Sequence, residues 1–376
     1  MHNDMWRTEK LGQVLTLQRG FDLPKGQRIE GNVPVISSGG QTGWHKDVKV
    51  LPPGVVTGRY GSVGEVFYVS EPFWPLNTTL FVSNFYGNDP KYVFYLLKSL
   101  NFKRFSDKTG VPGVNRNDLH RIRVNHPPIP EQKKIAEILS TWDEAIEHTR
   151  KLIETKKCHK KALMHQLLTG NCRLSTATQP WKEYKLFRLL QAKNDLSNKT
   201  SDLPLYSLTI DEGVTPKTDR YNREALVKDK HKKQYKIVFP NDIVFNPPNI
   251  RWGAIARSKL SFPVLVSPTY EVLRVKDSSA CHPVFLSELL STENQIRRFA
   301  SRVEGTLVER MAVKLNVFLT TKVNIPTDIV EQKNIAEVLS VAENEIQTLK
   351  TKLSAIEKQK RGLMQKLLTG EVRVKL

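Results

Sequence analysis

A ten-residue stretch occurs twice in this chain. Glu131-Gln132-Lys133-Lys134-Ile135-Ala136-Glu137-Ile138-Leu139-Ser140 returns as Glu331-Gln332-Lys333-Asn334-Ile335-Ala336-Glu337-Val338-Leu339-Ser340, and each copy runs, without an internal proline after its start, to a near-identical ending, Leu163-Met164-His165-Gln166-Leu167-Leu168-Thr169-Gly170 and Leu363-Met364-Gln365-Lys366-Leu367-Leu368-Thr369-Gly370. The displacement is the same at both ends, so the two segments have equal length. In the second copy Ile335, Leu339, Ala342, Ile346, Leu349, Leu353, Ile356, Lys360, Leu363 and Leu367 follow at alternating spacings of four and three. That period puts one narrow apolar seam on a helix and asks for a facing helix. The same phase in the first copy gives Ile135, Leu139, Trp142, Ile146, Thr149, Ile153, Lys156, Lys160, Leu163 and Leu167, apolar at both ends and polar in the middle. Pro130 and Pro326 suit helix starts, and Gly170 and Gly370 suit C′ positions, where positive φ is needed. Long core helices would also satisfy the period, but identical length, phase and ending favour a matched pair of rods. Their relative direction is not readable from the period. Lys156, Lys160 and Lys360 fit a dry seam poorly and are expected either to fix register or to mark where it opens to water.

The repeat cuts 376 residues near the middle, which leaves room for two ordinary domains, each with its own core. Lys and Arg outnumber Asp and Glu by 58 to 38, and a formal charge of +20 points to an anionic partner, nucleic acid first. No apolar run reaches the roughly 18 residues needed to cross a bilayer, and Met1–Lys10 carries Asp4 and Glu9 with no apolar segment after it, so a cytoplasmic protein with no membrane partner is expected. Cys158, Cys172 and Cys281 offer neither a disulfide framework nor a zinc spacing.

Residues 1–128 read as a mixed α+β module: apolar Leu11–Leu17, a strand at Val33–Ile36, strands either side of a glycine turn from Gly54 to Val69, and a helix from Pro90 to Leu100. Three stretches read as flexible loops with groups suited to DNA: Ser37–His45 with Gln41, Thr42, Trp44 and His45; the glycine turn with Arg59, Tyr60 and Ser62; and 108–116 with Lys108, Asn115 and Arg116. Gln or Asn can bond adenine at two points and Arg can do so with guanine, while Lys, Tyr and Ser commonly grip phosphates. The second module restarts at Trp181-Lys182-Glu183-Tyr184-Lys185-Leu186, an echo of Trp6-Arg7-Thr8-Glu9-Lys10-Leu11. In it Pro240–Ala256 follows the pattern of Pro53–Glu65, with Arg251-Trp252-Gly253 in place of Arg59-Tyr60-Gly61 and Asn249 close by. His282–Ala300 is the helical region. Lys228–Lys236, with Lys232 and Lys233, is a basic stretch expected to lie near phosphates, and Gly305–Arg310 is a late loop ending in Arg310.

Catalytic signatures are missing. There is no Gly-Lys-Ser/Thr phosphate loop, no His-Glu-Xaa-Xaa-His, no nucleophile elbow and no nuclease-like carboxylate set. Asn246-Pro247-Pro248 is followed by Asn249 where an amino methyltransferase has an aromatic residue. No catalytic residue and no metal or bound cofactor is expected of this chain.

The whole chain resembles the DNA-specificity subunit of type I restriction-modification systems. Pro128-Ile129-Pro130-Glu131-Gln132-Lys133-Lys134-Ile135-Ala136 and its fellow Glu331–Ala336 carry the resemblance, each opening a long helix that closes in Leu-Leu-Thr-Gly; the second copy has Val330 in place of the proline. The resemblance implies an α+β chain with an internal pseudo-two-fold repeat: target-recognition domains at 1–128 and 171–328, and spacer helices at 129–170 and, with the tail, 329–376, packed as an antiparallel coiled coil. Each domain would read one half of a split duplex sequence. The helices would set the spacing and dock two methyltransferase subunits, with translocase-nuclease subunits completing the complex. S-adenosylmethionine, ATP and Mg²⁺ would belong to those partners. The recognition loops would fall at Ser38–His45, Thr57–Gly64 and Pro247–Gly253. A structural DNA binder that grips phosphates without selecting bases is the alternative expectation.

Overall fold

The computed structural model describes residues 5–105, 113–174, 179–198, 202–217, 234–304 and 311–375. Two mixed α/β domains are linked by two long helices, Ile129–Leu168 and Ile329–Thr369. Forty residues at the α-helical rise span about 60 Å. The chain divides into two compact units, Met1–Leu152 with Leu349–Leu376, and Ile153–Thr348, so each unit holds one domain, the start of one long helix and the end of the other.

In the first unit Arg7–Lys10 pairs antiparallel with Arg123–His126, tying the beginning of the domain to the strand that feeds the first long helix. Between them runs an antiparallel sheet in the order Thr16–Arg19, Thr79–Asn84, Gly54–Gly58, Val66–Val69. Gly54–Gly58 is buried at every position, which is why its sequence shows no alternation of apolar and polar residues. A second sheet joins Gly40–His45, Val33–Ser37 and Trp74–Pro75. Helix Pro90–Ser99 begins where the Asp89 side chain accepts the Tyr92 N–H at 2.8 Å, with proline in the first turn. Tyr92, Tyr95, Leu11, Leu15 and Leu80 then close a core with Ile135 and Leu139 from one long helix and Leu367 and Leu368 from the other.

The second unit repeats this plan. Trp181–Lys185 pairs with Lys322–Pro326, and the four-stranded sheet runs Leu190–Lys193, Glu271–Val275, Ile243–Phe245, Ile255–Arg257, the same connectivity as before. Two helices, Pro283–Leu290 and Glu293–Ala300, stand in the helical region. The core stacks Phe245 on Phe318 at 4.5 Å between ring centres and adds Phe285 and Phe299, closed by Ile335, Leu339, Leu167 and Leu168.

In each unit the long helices run antiparallel. Asp143 and Arg150 meet Lys360 and Glu357 in the first, and Lys156 and Lys160 meet Glu345 and Glu343 in the second, partner numbers falling as helix numbers rise. Of the seam, Ile135, Leu139, Ile146, Ile153, Leu167, Ile335, Leu339, Ile346 and Leu367 are buried. Trp142, Leu163, Ala342, Leu349, Leu353, Ile356 and Leu363 are half-buried. The three seam lysines are neither solvent gaps nor misfits, because each pairs with a carboxylate on the facing helix.

The repeated start of each helix acts as a clamp. Glu131 is 2% exposed; it accepts the Trp6 indole N–H at 3.0 Å and two hydrogen bonds from Arg373, both 2.7 Å. Glu331 is 1% exposed and is held by Trp181 at 3.2 Å and Arg173 at 3.1 and 2.7 Å. Gln132 bonds the Asp89 N–H, the Asn88 side chain and the Pro127 carbonyl; Gln332 bonds the His282 N–H and the Ala280 and Pro326 carbonyls. Asp89 and His282 are the N-cap residues of the domain helices, so each Gln fastens a domain helix to a long helix. Gly170 and Gly370 adopt φ of +76° and +79° and turn the chain so that Arg173 and Arg373 reach these carboxylates, each glycine lying against the tryptophan of its clamp.

Two outcomes follow from these pairs. Arg373→Ala leaves a buried carboxylate with the Trp6 N–H alone, and should lower unfolding stability by about 2–3 kcal/mol, below the range for a fully buried pair since Arg373 itself is half exposed. Denaturant titration checks this, a midpoint shift at unchanged slope being the expected result. Burial works to raise the Asp143 and Glu343 carboxyls, but hydrogen bonds and charge from Lys360, Tyr95 and Lys98 on the one, and from Lys160 and Lys259 on the other, outweigh it and hold both below the usual range. A carboxyl whose folded pKa lies below its unfolded value contributes stability that is complete above the unfolded value, about 4, and is lost as pH falls through the folded one. Melting temperature should therefore be insensitive to these groups at neutral pH and fall below about pH 4, with Lys360→Met and Lys160→Met flattening that acid limb.

Candidate nucleic-acid interface

Arg59-Tyr60-Gly61 and Arg251-Trp252-Gly253 occupy the same place in their domains, the connection between the second and third strands, in chain order, of the four-stranded sheet. In both, the guanidinium lies over the ring of the next residue, 4.7 Å from the Tyr60 centre and 4.1 Å from the Trp252 centre. Both rings are well exposed, at 40% and 58%. Gly61 and Gly253 take φ of +75° and +97°, the left-handed turn that presents the preceding pair and that an L side chain resists. Stacking fixes the plane of a guanidinium, and that is the condition for two-point donation to a guanine edge.

Two further stretches gather round the first of these turns. Ser38 and Gly39 lie beside Gly61 and Ser62, and the backbone of Gly58 passes so close to Ser62 that a Cβ would meet its carbonyl oxygen at 2.1 Å. The Tyr60 ring also lies against Gly113, so close that a Cβ there would meet it at 2.4 Å, and the Val114 N–H donates to the Arg59 carbonyl at 3.0 Å. Gln41, Thr42 and Ser62 are exposed, and Trp44 is half exposed. The stretch expected as a loop at Ser37–His45 is in fact a tight hairpin, with only Ser38 and Gly39 between strands Val33–Ser37 and Gly40–His45. His45 points inward: it is 3% exposed, its ring meets Trp74 edge-on at 5.0 Å, and its Nδ1 accepts the Ile29 N–H. A strand alternates its side chains, so a neighbour of exposed Trp44 is carried inside. Asn115 caps helix Arg116–His120 by accepting the Asn117 N–H at 2.9 Å, while Arg116 is exposed.

In the second unit Ile210, at the tip of the hairpin Tyr206–Thr209 and Gly213–Pro216, lies against Gly253 beside the Arg251–Trp252 pair. Asn249 is half-buried in the turn before it, its N–H donating to the Asn246 carbonyl at 3.0 Å, and Arg251 also reaches the Met311 sulfur at 3.6 Å. Lys236, expected on a basic face, is 8% exposed and pairs with Glu271 at 2.8 Å. Lys108, Lys232, Lys233 and Arg310 lie outside the described residues. Arg28, which the sequence did not single out, donates to the Thr42 carbonyl at 3.0 Å and braces the hairpin across a separation that carries no periodic signal.

Among the described residues no group of three or more His, Cys, Asp or Glu could hold a metal ion, and no helix is long and apolar enough to cross a membrane. Cys281 is buried, which pushes its thiol up to about 12, with Asp277 adding to the effect.

Two domains of one plan, each offering a stacked Arg–aromatic pair and joined by matched helices, define a duplicated two-headed protein. Residues 3–155 match the family described as Type I restriction modification DNA specificity domain. Over 311 residues the chain is 29% identical to the type I restriction enzyme MjaVIII specificity subunit of Methanocaldococcus jannaschii, covering 76% of this chain and 71% of that one. Its fold is similar to that of a type I restriction-modification S subunit from M. genitalium, with a TM-score of 0.63 at 17% identity over 98% and 97% of the two chains. A chain from a type I R-M system solved for its assembly and conformational transition gives 0.58 at 13% identity over 98% of each. The family match covers the first domain and the start of the first long helix, while the likeness of fold to the solved specificity subunit extends over the whole chain.

The two left-handed glycines make a local prediction. Gly61→Ala and Gly253→Ala have room for the added methyl, 3.6 and 3.7 Å from the nearest neighbour, so the φ alone should cost about 1–2 kcal/mol each. Gly26→Ala, at an open position, should stay within about 0.5 kcal/mol in the same denaturant titration.

Proposed function

We propose that the domain within 1–128 reads one half of a split double-stranded DNA sequence and the domain within 171–328 reads the other. The helices 129–170 and 329–376 hold the halves at a set gap. The observation that carries this reading is the Arg–aromatic–glycine turn, present at one topological position in both domains while the surroundings differ: a hairpin and Gly113 around Tyr60, Ile210 and Met311 around Arg251 and Trp252. Equal scaffolds with unequal linings suit two different short sequences. The formal charge of +20 suits the phosphate contacts that position such a reader. Gln41, Thr42, Trp44, Tyr60, Ser62, Arg116, Asn249 and Trp252 are the further contact candidates. The helix pair serves two methyltransferase subunits, and translocase-nuclease subunits complete the restriction complex. S-adenosylmethionine, ATP and Mg²⁺ belong to those partners.

Purified with its methyltransferase partner, the protein should bind one bipartite duplex well above scrambled duplexes, with affinity falling as salt rises because phosphate contacts release counterions. Arg59→Ala should weaken binding by about 1–3 kcal/mol at targets intact in the first half-site, and Arg251→Ala likewise for the second. Each variant should become indifferent to base changes in its own half-site only. Equal affinity for every duplex of one length would instead identify a structural DNA binder that grips phosphates.

A further inference from the structure

Lys160 and Lys360 occupy the same position in the two copies of the long helix, and each is the centre of a three-way contact inside its own unit. In the first unit Lys360 ion-pairs with Asp143 on the facing long helix and places its ammonium 5.3 Å from the centre of the Tyr95 ring. The Tyr95 hydroxyl donates to the other Asp143 oxygen at 2.7 Å and lies 3.3 Å from the Ser140 hydroxyl. In the second unit Lys160 sits 3.0 Å from Glu343 on the facing long helix and 3.2 Å from Glu288, while Lys259 reaches the other Glu343 oxygen at 3.2 Å. Asp143 and Glu343 are themselves equivalent positions of the repeat. Tyr95 belongs to helix Pro90–Ser99 and Glu288 to helix Pro283–Leu290, the matching helices of the two domains.

Both contacts therefore tie the same three elements together: the end of one long helix, the start of the other, and the helix of the recognition domain. The chemistry of the third member has changed from phenol to carboxylate, yet the lysine and its facing acid are kept. Helix pairing alone does not call for this. Burying a lysine costs stability that an apolar seam residue would supply, and the lysine side chains are only 15% and 10% exposed. What a directional charged contact adds over apolar packing is a single geometry, since sliding the domain along the pair, or turning it, unpairs a buried charge.

We propose that the Lys360–Asp143–Tyr95 and Lys160–Glu343–Glu288 contacts fix the seating of each recognition domain on the helix pair, and thereby determine which gap between half-sites the protein accepts. Lys360, Asp143, Lys160, Glu343, Tyr95 and Glu288 are positioning residues that act through the domains they seat. This rests on the half-site reading above and adds the groups that make the gap selective. The two contacts differ in one respect. Loss of Lys160 leaves Glu288 with no cation between it and Glu343, which keeps only the more exposed Lys259, whereas loss of Lys360 leaves Asp143 hydrogen-bonded to Tyr95. The second domain is thus the more easily unseated.

The test uses the full chain with its methyltransferase partner and four duplexes: both half-sites at the native gap, the gap one base pair shorter, one base pair longer, and a single half-site. In Lys360→Met, preference for the native gap should drop about tenfold while affinity for the single half-site duplex of the first domain stays within about twofold. Lys160→Met should lower the preference further. Exchanging the charges, Lys360→Asp with Asp143→Lys, should restore it. An unchanged gap preference in both methionine variants overturns the proposal, as does a loss of equal size on the single half-site, which marks a fold defect and not a seating one. A parent protein that selects the bipartite target yet accepts all three gaps also overturns it and leaves the half-site reading standing. A parent that selects no bipartite target refutes that reading itself.

Discussion

A carboxylate buried at the first turn of each long helix is the constraint on which the rest of the structure depends. Unpaired, Glu131 or Glu331 would cost several kcal/mol, so the chain must bring it donors. An indole from the beginning of the domain and an arginine from beyond the end of the other helix supply them. That requirement brings the beginning of a domain, the start of one rod and the end of the other to a single point in each unit. The neighbouring glutamine, with three hydrogen bonds, adds the N-cap of the domain helix. The repeat is most faithful where these obligations are strictest, at Glu-Gln and at Leu-Leu-Thr-Gly, and loosest in the middle of the rods, where the partners are solvated charges such as Arg150 with Glu357.

Much of this was legible in the sequence because it is periodic or local. The seam follows from spacing, the helix ends from Gly170 and Gly370, and the glycine turn from Gly58 to Gly64. The Trp6 and Trp181 echo was visible as a similarity, though its reason was not: both indoles donate to a glutamate more than a hundred residues away. Sequence patterns carry no record of such distances. The same holds for the lysines of the seam, which a period can flag as misfits but cannot pair with Asp143 or Glu343. His45 shows a different limit. Its burial follows from strand alternation, and the glycines around it made the stretch read as a loop.

The candidate interface divides along the same line. Arg59–Tyr60 and Arg251–Trp252 could be matched from the sequence, since both precede a glycine between two apolar runs, and sheet topology puts them at one position. What distinguishes the two turns is assembled from distant segments, Ser38 and Gly113 in one domain and Ile210 and Met311 in the other. A duplicated chain keeps the scaffold that presents the Arg–aromatic pair and varies what surrounds it, which suits the proposed reading of two different short sequences.

Methylation-site mapping of genomic DNA from cells with and without this chain, in the presence of the partner subunits, tests the central claim most directly. The account predicts a motif of two short defined blocks around a fixed unspecified gap, methylated only when the chain is present, with one block altered by Arg59→Ala and the other by Arg251→Ala. Loss of no motif on removing the chain, or loss of a single uninterrupted one, would contradict the two-headed reading.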